Sequence, residues 1–140
     1  MDPFNLRRFV DAQASAYDEA LAELKQGRKR SHWIWFIFPQ VQGLGASAMS
    51  QRYAIVSLAE ARAYLDHPIL GPRLLACVDA MLAIEGKPVD AILGPPDDLK
   101  FRSSMTLFAA AAGKDAGAPF VRALDKYFDG ERDPATIARL

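Results

Sequence analysis

The sequence predicts a mainly α-helical fold, with residues 1–140 forming one compact domain of about seven helices around a central apolar helix at residues 72–84. Three observations lead to this prediction. Apolar residues recur at intervals of three and four in most segments. Residues that cap or end helices separate those segments. Only residues 31–38 have the composition of a strand, and the chain offers them no clear partner strand.

The first predicted helix covers residues 5–26, where Phe9, Tyr17 and Leu24 are among the regularly spaced apolar positions. Asn5 is its predicted N-cap and Gly27 its C′ residue. Basic residues cluster at its C-terminal end, at Lys25 and residues 28–30. They either complement the helix macrodipole and stay solvated or form an anion-binding patch, and the sequence leaves both interpretations open.

Residues 31–38 hold both tryptophans and are rich in bulky aromatic and branched side chains, which favour a strand. Ser31 as an N-cap, followed by Trp33 and Phe36 at helical spacing, favours two helical turns instead. Pro39 ends either structure. We favour a helix, because a lone strand would leave its backbone hydrogen-bonding groups unpaired.

Capping residues and prolines define the remaining predicted helices. Ser57 and Glu60 form a capping box, Pro72 suits the first position of the central helix, and Asp98 or its neighbour Asp97 caps the next long helix. Asp133 caps the last short helix. The predicted helices after residue 40 cover residues 47–53, 57–65, 72–84, 88–93, 99–112, 119–128 and 134–140.

Composition narrows the function classes. Lys plus Arg and Asp plus Glu are both 17, and a neutral chain does not suit a protein built to neutralise nucleic-acid phosphates. No apolar run approaches the roughly 20 residues of a membrane span. No signal peptide is apparent, and Cys77 is the single cysteine, so we expect a cytoplasmic protein without disulfides. Cys77, His32 and His67 are too few for a zinc site, and no phosphate-loop motif indicates a cofactor.

Two groups of residues could carry chemistry. The first combines cations, an acid–base group, flat rings and an amide, a combination able to hold a nucleotide-like ligand by charge and stacking. The second lies at the start of the helix at 99–112, where free N–H groups, cations and hydroxyls could bind an anion. The first group is Arg30, His32, Trp33, Trp35 and Gln40, and the second is Asp97, Asp98, Lys100, Arg102, Ser103, Ser104 and Thr106.

Each group also has a structural interpretation. Two tryptophans in a domain of this size are usually core residues. An Asp98–Arg102 pair four residues apart is ordinary helix-surface electrostatics. Serines in the middle of a helix, however, compete with its backbone hydrogen bonds, so Ser103 and Ser104 need a packing or a ligand reason.

Four segments of the chain are RKRSHWIWFIFPQ, QRYAI, ARAYLDHPILGPRL and PDDLKFRSSMTLF. Together they resemble the bacterial domain-of-unknown-function family 1810, whose members are sometimes labelled calpastatin. The resemblance spans the chain from about Phe9 to Leu140. It implies a mainly helical single domain with no established function. The calpastatin label finds no support in these residues, because a calpain inhibitor of that name is an extended, repetitive chain.

The chain is also similar, far more faintly, to the YbiA-like proteins called NADAR, which are associated with NAD, ADP-ribose and N-glycosidic bonds. The shared features are an aromatic segment after the first helix and two later helices. Ser31 stands where those proteins have an acidic residue, so no catalytic residue is transferred from them.

The expected function is therefore binding of a small anionic ligand, a phosphorylated nucleoside or an ADP-ribose-like molecule, with N-glycosidic hydrolysis as the candidate reaction. Lys100 and Arg102 would hold phosphate, and Trp33 or Trp35 would stack on the ligand. His32 or Asp98 would act as the acid or base. Arg30, Gln40 and Ser103 complete the predicted ligand-binding residues. The alternative is an interaction or scaffold protein without a small-molecule site.

Overall fold

The computed structural model describes residues 2–140, and these residues form ten helices where about seven were predicted. The prediction of a mainly helical domain is confirmed. Numbered in chain order, the helices α1 to α10 are Arg7–Ala14, Tyr17–Gln26, Ile34–Ile37, Ala48–Arg52, Leu58–Asp66, Leu70–Ala83, Val89–Leu93, Asp97–Ala112, Ala118–Phe128 and Pro134–Ile137.

Two long helices share the centre of the fold. The predicted apolar helix, α6, packs against α2, α5 and α9. It begins at Leu70, so Pro72 is its third residue and not its first as predicted. The second central helix, α8, packs against α3, α5, α7, α9 and α10, and it buries every residue from 103 to 109. A helix enclosed on most sides can pack closely where its residues are small, and Ser104 and Ala109 are small residues buried on α8.

The predicted helix at residues 5–26 is two helices, α1 and α2, separated by Ser15 and Ala16. The separation allows α1 to pack on α3 while α2 packs on α6, two directions that one straight helix could not face. Asn5 is not the N-cap as predicted, since its φ is 53° and the cap residue is Leu6. The carboxylate of Asp2 caps α1 instead, accepting hydrogen bonds from the Leu6 and Arg7 N–H groups.

The aromatic segment after α2 is helical only at α3. Ser31 is not its N-cap as predicted, because the helix starts after Trp33. Trp33 and Phe38 are buried, and the Phe38 ring meets Phe101 of α8 edge-on at 4.7 Å between centroids. The helical interpretation of residues 31–38 is therefore correct for one turn, and the rest of the segment is irregular chain packed into the core.

Three predicted caps are present. Ser57 accepts a hydrogen bond from the Glu60 N–H at the start of α5. Gly27 follows α2 with a left-handed φ of 79°. Asp133 accepts from the Thr136 N–H at the start of α10. By contrast, the predicted side-chain cap of α8 is absent, because α8 begins at Asp97 itself and its N-cap residue is Pro96.

A short extended pairing holds the loops together after α3. Val41 and Ile55 form a parallel bridge, with the Ile55 N–H donating to the Gln40 carbonyl and the Gln42 N–H donating to the Ile55 carbonyl. This bridge fixes the loop at residues 40–45 beside residues 52–56. From Asp2 to Leu140, none of the helices combines the length and the apolar character needed to cross a membrane.

Candidate functional site

A concave surface, here called the main cleft, has a volume of about 780 Å³. It lies between the N-terminal segment, the loop at residues 40–45 and the segment at residues 50–60. Its lining is Pro3, Phe4, Asn5, Arg8, Gln40, Val41, Gln42, Gly43, Gly45, Ser50, Gln51, Arg52, Ala54, Val56 and Glu60.

A buried ion pair forms part of the wall of the main cleft. The Arg8 guanidinium lies 2.9 Å from the Glu60 carboxylate, and their side chains are 14% and 1% exposed. The five N–H groups of Arg8 all have acceptors within the protein, namely the carbonyls of Phe4, Asn5, Arg52 and Ala54 and the Glu60 carboxylate. Because a guanidinium has five donors in all, Arg8 has none left for a ligand and acts as a structural clamp.

Three amide side chains of the main cleft have unused hydrogen-bonding groups. The side chains of Asn5, Gln40 and Gln42 form no hydrogen bond with any of residues 2–140. Arg52, on the rim, has no ion pair with a described residue, and its guanidinium lies 5.4 Å from the centroid of the Tyr53 ring. The cleft therefore offers amide donors and acceptors together with one uncompensated cation.

A smaller hollow of about 280 Å³, here called the α8 recess, adjoins the main cleft. Gln40 and Gly45 line both. The recess thus brings together Gln40, Lys100 and Ser103, three of the predicted ligand-binding residues. Its remaining lining is Leu44, Gly45, Pro96, Leu99, Asp133 and Ala135.

The aromatic segment and the start of α8 meet beside this recess. Asp97 lies 3.0 Å from the Lys29 ammonium and 3.6 Å from that of Lys100. Lys100 also lies 5.4 Å from the centroid of the Trp35 ring, within the range of a cation–π contact. The Trp35 Nε1–H is buried and has no hydrogen-bond partner among the described residues. These contacts join the two predicted groups at one point, through Lys100 and Trp35.

Arg102 faces away from that point. Its Nε and Nη2 donate to the backbone carbonyls of Glu131 and Arg132, at 2.9 and 2.8 Å. The predicted Asp98–Arg102 pair is not formed, since the ion-pair partner of Arg102 is Glu131. Arg102 therefore holds the chain between α9 and α10 against α8.

Two mid-helix hydroxyls of α8, those of Ser103 and Thr106, also hold this segment, whereas the buried Ser104 hydroxyl has no hydrogen-bond partner among the described residues. Ser103 donates to the Asp133 carboxylate at 3.0 Å. Thr106 accepts from the Asp133 N–H at 3.0 Å and donates to the Arg102 carbonyl. Burial acts to raise the pKa of the Asp133 carboxyl, but hydrogen bonds from Thr136 and Ser103 outweigh it and lower that pKa. The Ser103 and Thr106 hydroxyls thus have a structural role, and Ser103 also lines the recess.

A buried carboxylate organises the chain before the aromatic segment. Glu23 accepts hydrogen bonds from the Arg30 N–H at 2.7 Å and the Ser31 N–H at 3.0 Å. It also accepts from the Ser31 hydroxyl at 2.6 Å and the Trp33 Nε1–H at 2.9 Å. Although burial alone would raise the pKa of Glu23, these bonds lower it to about 2. Trp33, 1% exposed and bonded in this way, is a core residue without a face for a ligand.

The other predicted residues lie outside both hollows. Arg30 and His32 are exposed and line neither hollow. An Asp98 carboxylate oxygen accepts from the neighbouring Leu99 N–H. The structure therefore brings Gln40, Lys100 and Ser103 to one recess, with Trp35 beside it, and leaves Arg30, His32, Trp33, Asp98 and Arg102 elsewhere.

Sequence reasoning missed the main cleft. The capping box identified Glu60, but nothing in the local pattern linked it to Arg8, 52 residues earlier. Two acidic residues organise the region: Asp133 was predicted only as a helix cap, and Glu23 was given no role. Hydrogen-bond donors cluster around both carboxylates, and only the tertiary structure shows this clustering.

Two comparisons relate the chain to proteins without an assigned function. The model of a family described as "Protein of unknown function (DUF1810)" matches residues 3–140. The chain is similar to the conserved hypothetical protein Rv1873 from Mycobacterium tuberculosis, whose crystal structure is known at 1.38 Å. The two are 53% identical, the match covers 99% of this chain and 98% of that one, and the TM-score is 0.96. No curated protein matches the chain.

Proposed function

The chain belongs to the DUF1810 family, and we propose that it binds a small polar ligand carrying a negative charge in the main cleft and the adjoining α8 recess. The observation that carries the proposal is the continuity of the two hollows at Gln40 and Gly45. Ligand sites typically have volumes of about 300–1,000 Å³, and the main cleft lies within that range.

The hydrogen-bonding groups suit a ligand with both donors and acceptors. An amide side chain presents both from one planar group, and Asn5, Gln40 and Gln42 are free to do so. Nucleobase edges and ribose hydroxyls have this mixed character. A charged group on such a ligand finds Arg52 on the rim of the main cleft and Lys100 at the far end of the recess. A phosphorylated nucleoside or an ADP-ribose-like molecule is the proposed ligand class.

Lys100 is the more restrained of the two cations. It shares Asp97 with Lys29, so its charge is partly compensated in the ligand-free protein. Its contact with Trp35 also places the indole ring beside any group bound to Lys100. Binding is therefore expected to alter the surroundings of the Trp35 indole while leaving Trp33, bonded to Glu23, unchanged.

The test is nuclear magnetic resonance of the ¹⁵N-labelled protein, titrated with ADP-ribose, NAD and ribose 5-phosphate. The two indole N–H signals are assigned with a Trp35→Phe variant. We expect one of these ligands to shift the Trp35 indole signal and the backbone amides of residues 40–45. Gln40→Ala and Arg52→Gln should each weaken binding about fivefold, the loss of one exposed hydrogen bond or ion pair. Arg28→Gln is the control, since it removes an exposed charge outside both hollows.

No chemical-shift change in the two hollows at millimolar concentrations of all three ligands would contradict the proposed ligand class. Equal weakening by Gln40→Ala and Arg28→Gln would contradict the proposed site. A thermal-shift series with the same ligands gives an independent measurement, because binding to the folded state raises the melting temperature.

Hydrolysis of an N-glycosidic bond would further require an acid–base group at the ligand. Of the two carboxylates in the lining, Glu60 is paired with Arg8, whereas Asp133 accepts three hydrogen bonds on Oδ2 and none on Oδ1. Asp133 is thus the candidate base if the bound ligand is cleaved. Chromatography of an overnight incubation with NAD detects released nicotinamide, and an Asp133→Asn variant should abolish that release.

The alternative function as an interaction protein has one observation in its favour. Leu99 is 58% exposed at the edge of the recess, next to Leu44, Pro96 and Ala135. An exposed apolar group at the edge of a hollow is typical of a protein contact. Size-exclusion chromatography with light scattering on the wild type and on Leu99→Asp would detect self-association through this edge.

A further inference from the structure

A third hollow, here called the α8–α9 cleft, lies where the end of α8 faces the start of α9. Its volume is about 500 Å³, and it shares no lining residue with the main cleft or the α8 recess. It is lined by Ala109, Gly113, Lys114, Ala118, Val121, Arg122 and Arg132. Three of these seven residues are cations and none is acidic.

The three cations are free to contact a ligand. The side chains of Lys114, Arg122 and Arg132 form no ion pair and no hydrogen bond with any of residues 2–140. All three are exposed, as an electrostatic contact with a diffusing ligand requires. In a chain with equal numbers of acidic and basic residues, three uncompensated cations around one hollow are a local surplus of positive charge.

The nearby carboxylates lie outside the lining of the cleft. Oδ1 of Asp125 faces Gly130, lying 3.0 Å from the position that a Cβ on that glycine would occupy. Glu131 is 3.7 Å from the Arg102 guanidinium. Asp115 and Asp129 are exposed and do not line the cleft. The lining of the hollow therefore combines three cations with no carboxylate among the described residues.

Arg132 is placed by a rigid support. The Arg102 guanidinium binds the carbonyls of Glu131 and Arg132, and the Asp133 N–H donates to Thr106. The backbone on both sides of the Arg132 side chain is thus fixed to α8, so this cation is held at the rim although its side chain is exposed. Arg102 has this positioning role in place of the direct phosphate contact predicted from the sequence.

The floor of the cleft is apolar and made of small residues. Ala109 is 7% exposed, and Ala118 and Val121 are half-buried beside it. A ring or a short hydrocarbon chain resting there would lose contact with water and be stabilised in proportion to its buried area. The combination of an apolar floor with cations at the edges matches a molecule that has one apolar part and one anionic part.

We propose that the α8–α9 cleft is a binding site for a small organic phosphate with an apolar group, the apolar group lying on Ala118 and Val121 and the phosphate between Arg122, Arg132 and Lys114. Arginine suits this role because its planar fork can donate two hydrogen bonds to one phosphate. This site is independent of the function proposed for the main cleft.

The experiment titrates the ¹⁵N-labelled protein with phenyl phosphate and, separately, with inorganic phosphate. Phenyl phosphate should shift the amides of Lys114, Ala118 and Arg122. It should bind at least about tenfold more tightly than inorganic phosphate, because the ring contributes apolar burial. Arg122→Gln and Arg132→Gln should each weaken its binding about fivefold, since all three cations are exposed. Raising the salt concentration should weaken it further.

Arg28→Gln is the matched control, because it removes one exposed positive charge in the segment that follows α2 and should leave phenyl phosphate binding unchanged. Equal effects of Arg122→Gln and Arg28→Gln would overturn the site. Equal affinities for phenyl phosphate and inorganic phosphate would overturn the role of the apolar floor. An acidic peptide that shifts these amides while phenyl phosphate does not would show that the cleft docks a protein, and would also overturn the proposal.

Discussion

Replacing Glu23 with Gln should lower the free energy of unfolding at pH 7 by about 3 kcal/mol. Glutamine has the shape of the protonated carboxyl, and its carbonyl oxygen can still accept from the three N–H donors that now share Oε1. The variant therefore loses the charge of the acceptor and keeps the contacts. The pKa of Glu23 is lowered from 4.5 to about 2, and each pKa unit corresponds to about 1.4 kcal/mol, which gives the stated magnitude.

The lowered pKa of Glu23 determines how this difference in stability changes with pH. A carboxyl whose pKa is lowered by folding stabilises the protein fully above its unfolded-state pKa. It loses that contribution as the pH falls through the folded-state value. The difference between wild type and Glu23→Gln should therefore stay near 3 kcal/mol down to about pH 5 and roughly halve by pH 3. Urea unfolding followed by circular dichroism at pH 7, 5, 4 and 3 measures it.

Glu19→Gln is the control for this experiment. Glu19 also accepts a hydrogen bond from the Ser31 hydroxyl, but it is exposed. Its replacement should change the stability by no more than about 0.5 kcal/mol. A wild-type-to-Glu23→Gln difference that is constant between pH 7 and pH 3 would refute the reasoning, because the contribution of a lowered pKa must vanish as the carboxyl is protonated.

Three further predictions concern the fold. Thr106→Val should cost about 2 kcal/mol in urea unfolding, because it leaves the Asp133 N–H without its acceptor; a loss below about 0.5 kcal/mol would contradict the bridging role. Gly71→Ala should lower the melting temperature sharply or prevent folding, because the new Cβ would lie 2.1 Å from the Leu65 carbonyl oxygen. A stable Gly71→Ala variant would show that α5 and α6 can separate. Cys77 should not react with a thiol reagent at pH 8 until the protein unfolds, because burial raises its pKa to about 12; reaction of the folded protein at the rate of a free thiol would be inconsistent with this burial.

Most of the helices could be predicted because the residues that begin or end them lie close together in the sequence. The capping box at Ser57, the left-handed glycine at Gly27 and the cap at Asp133 each involve residues within four positions of one another. The break between α1 and α2 has no such signal, since neither Ser15 nor Ala16 prevents a helix. It results from the packing of α1 on α3 and of α2 on α6, a tertiary requirement that periodicity cannot show.

The candidate site was predictable only where its residues lie beside the start of α8. Gln40, Lys100 and Ser103 line one recess because the aromatic segment and this helix both bury apolar residues and therefore meet. The role of these three residues in ligand binding stays a prediction. Arg102 follows in the same sequence run, yet its backbone acceptors lie 29 and 30 residues away. An arginine that holds carbonyl groups and one that holds a phosphate have the same local sequence, so the difference appears only in the folded chain.

The aromatic segment shows how burial divides one motif between structure and function. An indole N–H that leaves water needs a partner, and Glu23 supplies one to Trp33, which fixes that ring in the core. The Trp35 N–H has no such partner among the described residues, and its ring lies against Lys100 at the edge of the α8 recess. Of the two tryptophans, Trp35 is therefore the one whose environment a ligand can change. Its indole signal consequently separates binding in the recess from binding in the α8–α9 cleft, whose lining includes no aromatic residue.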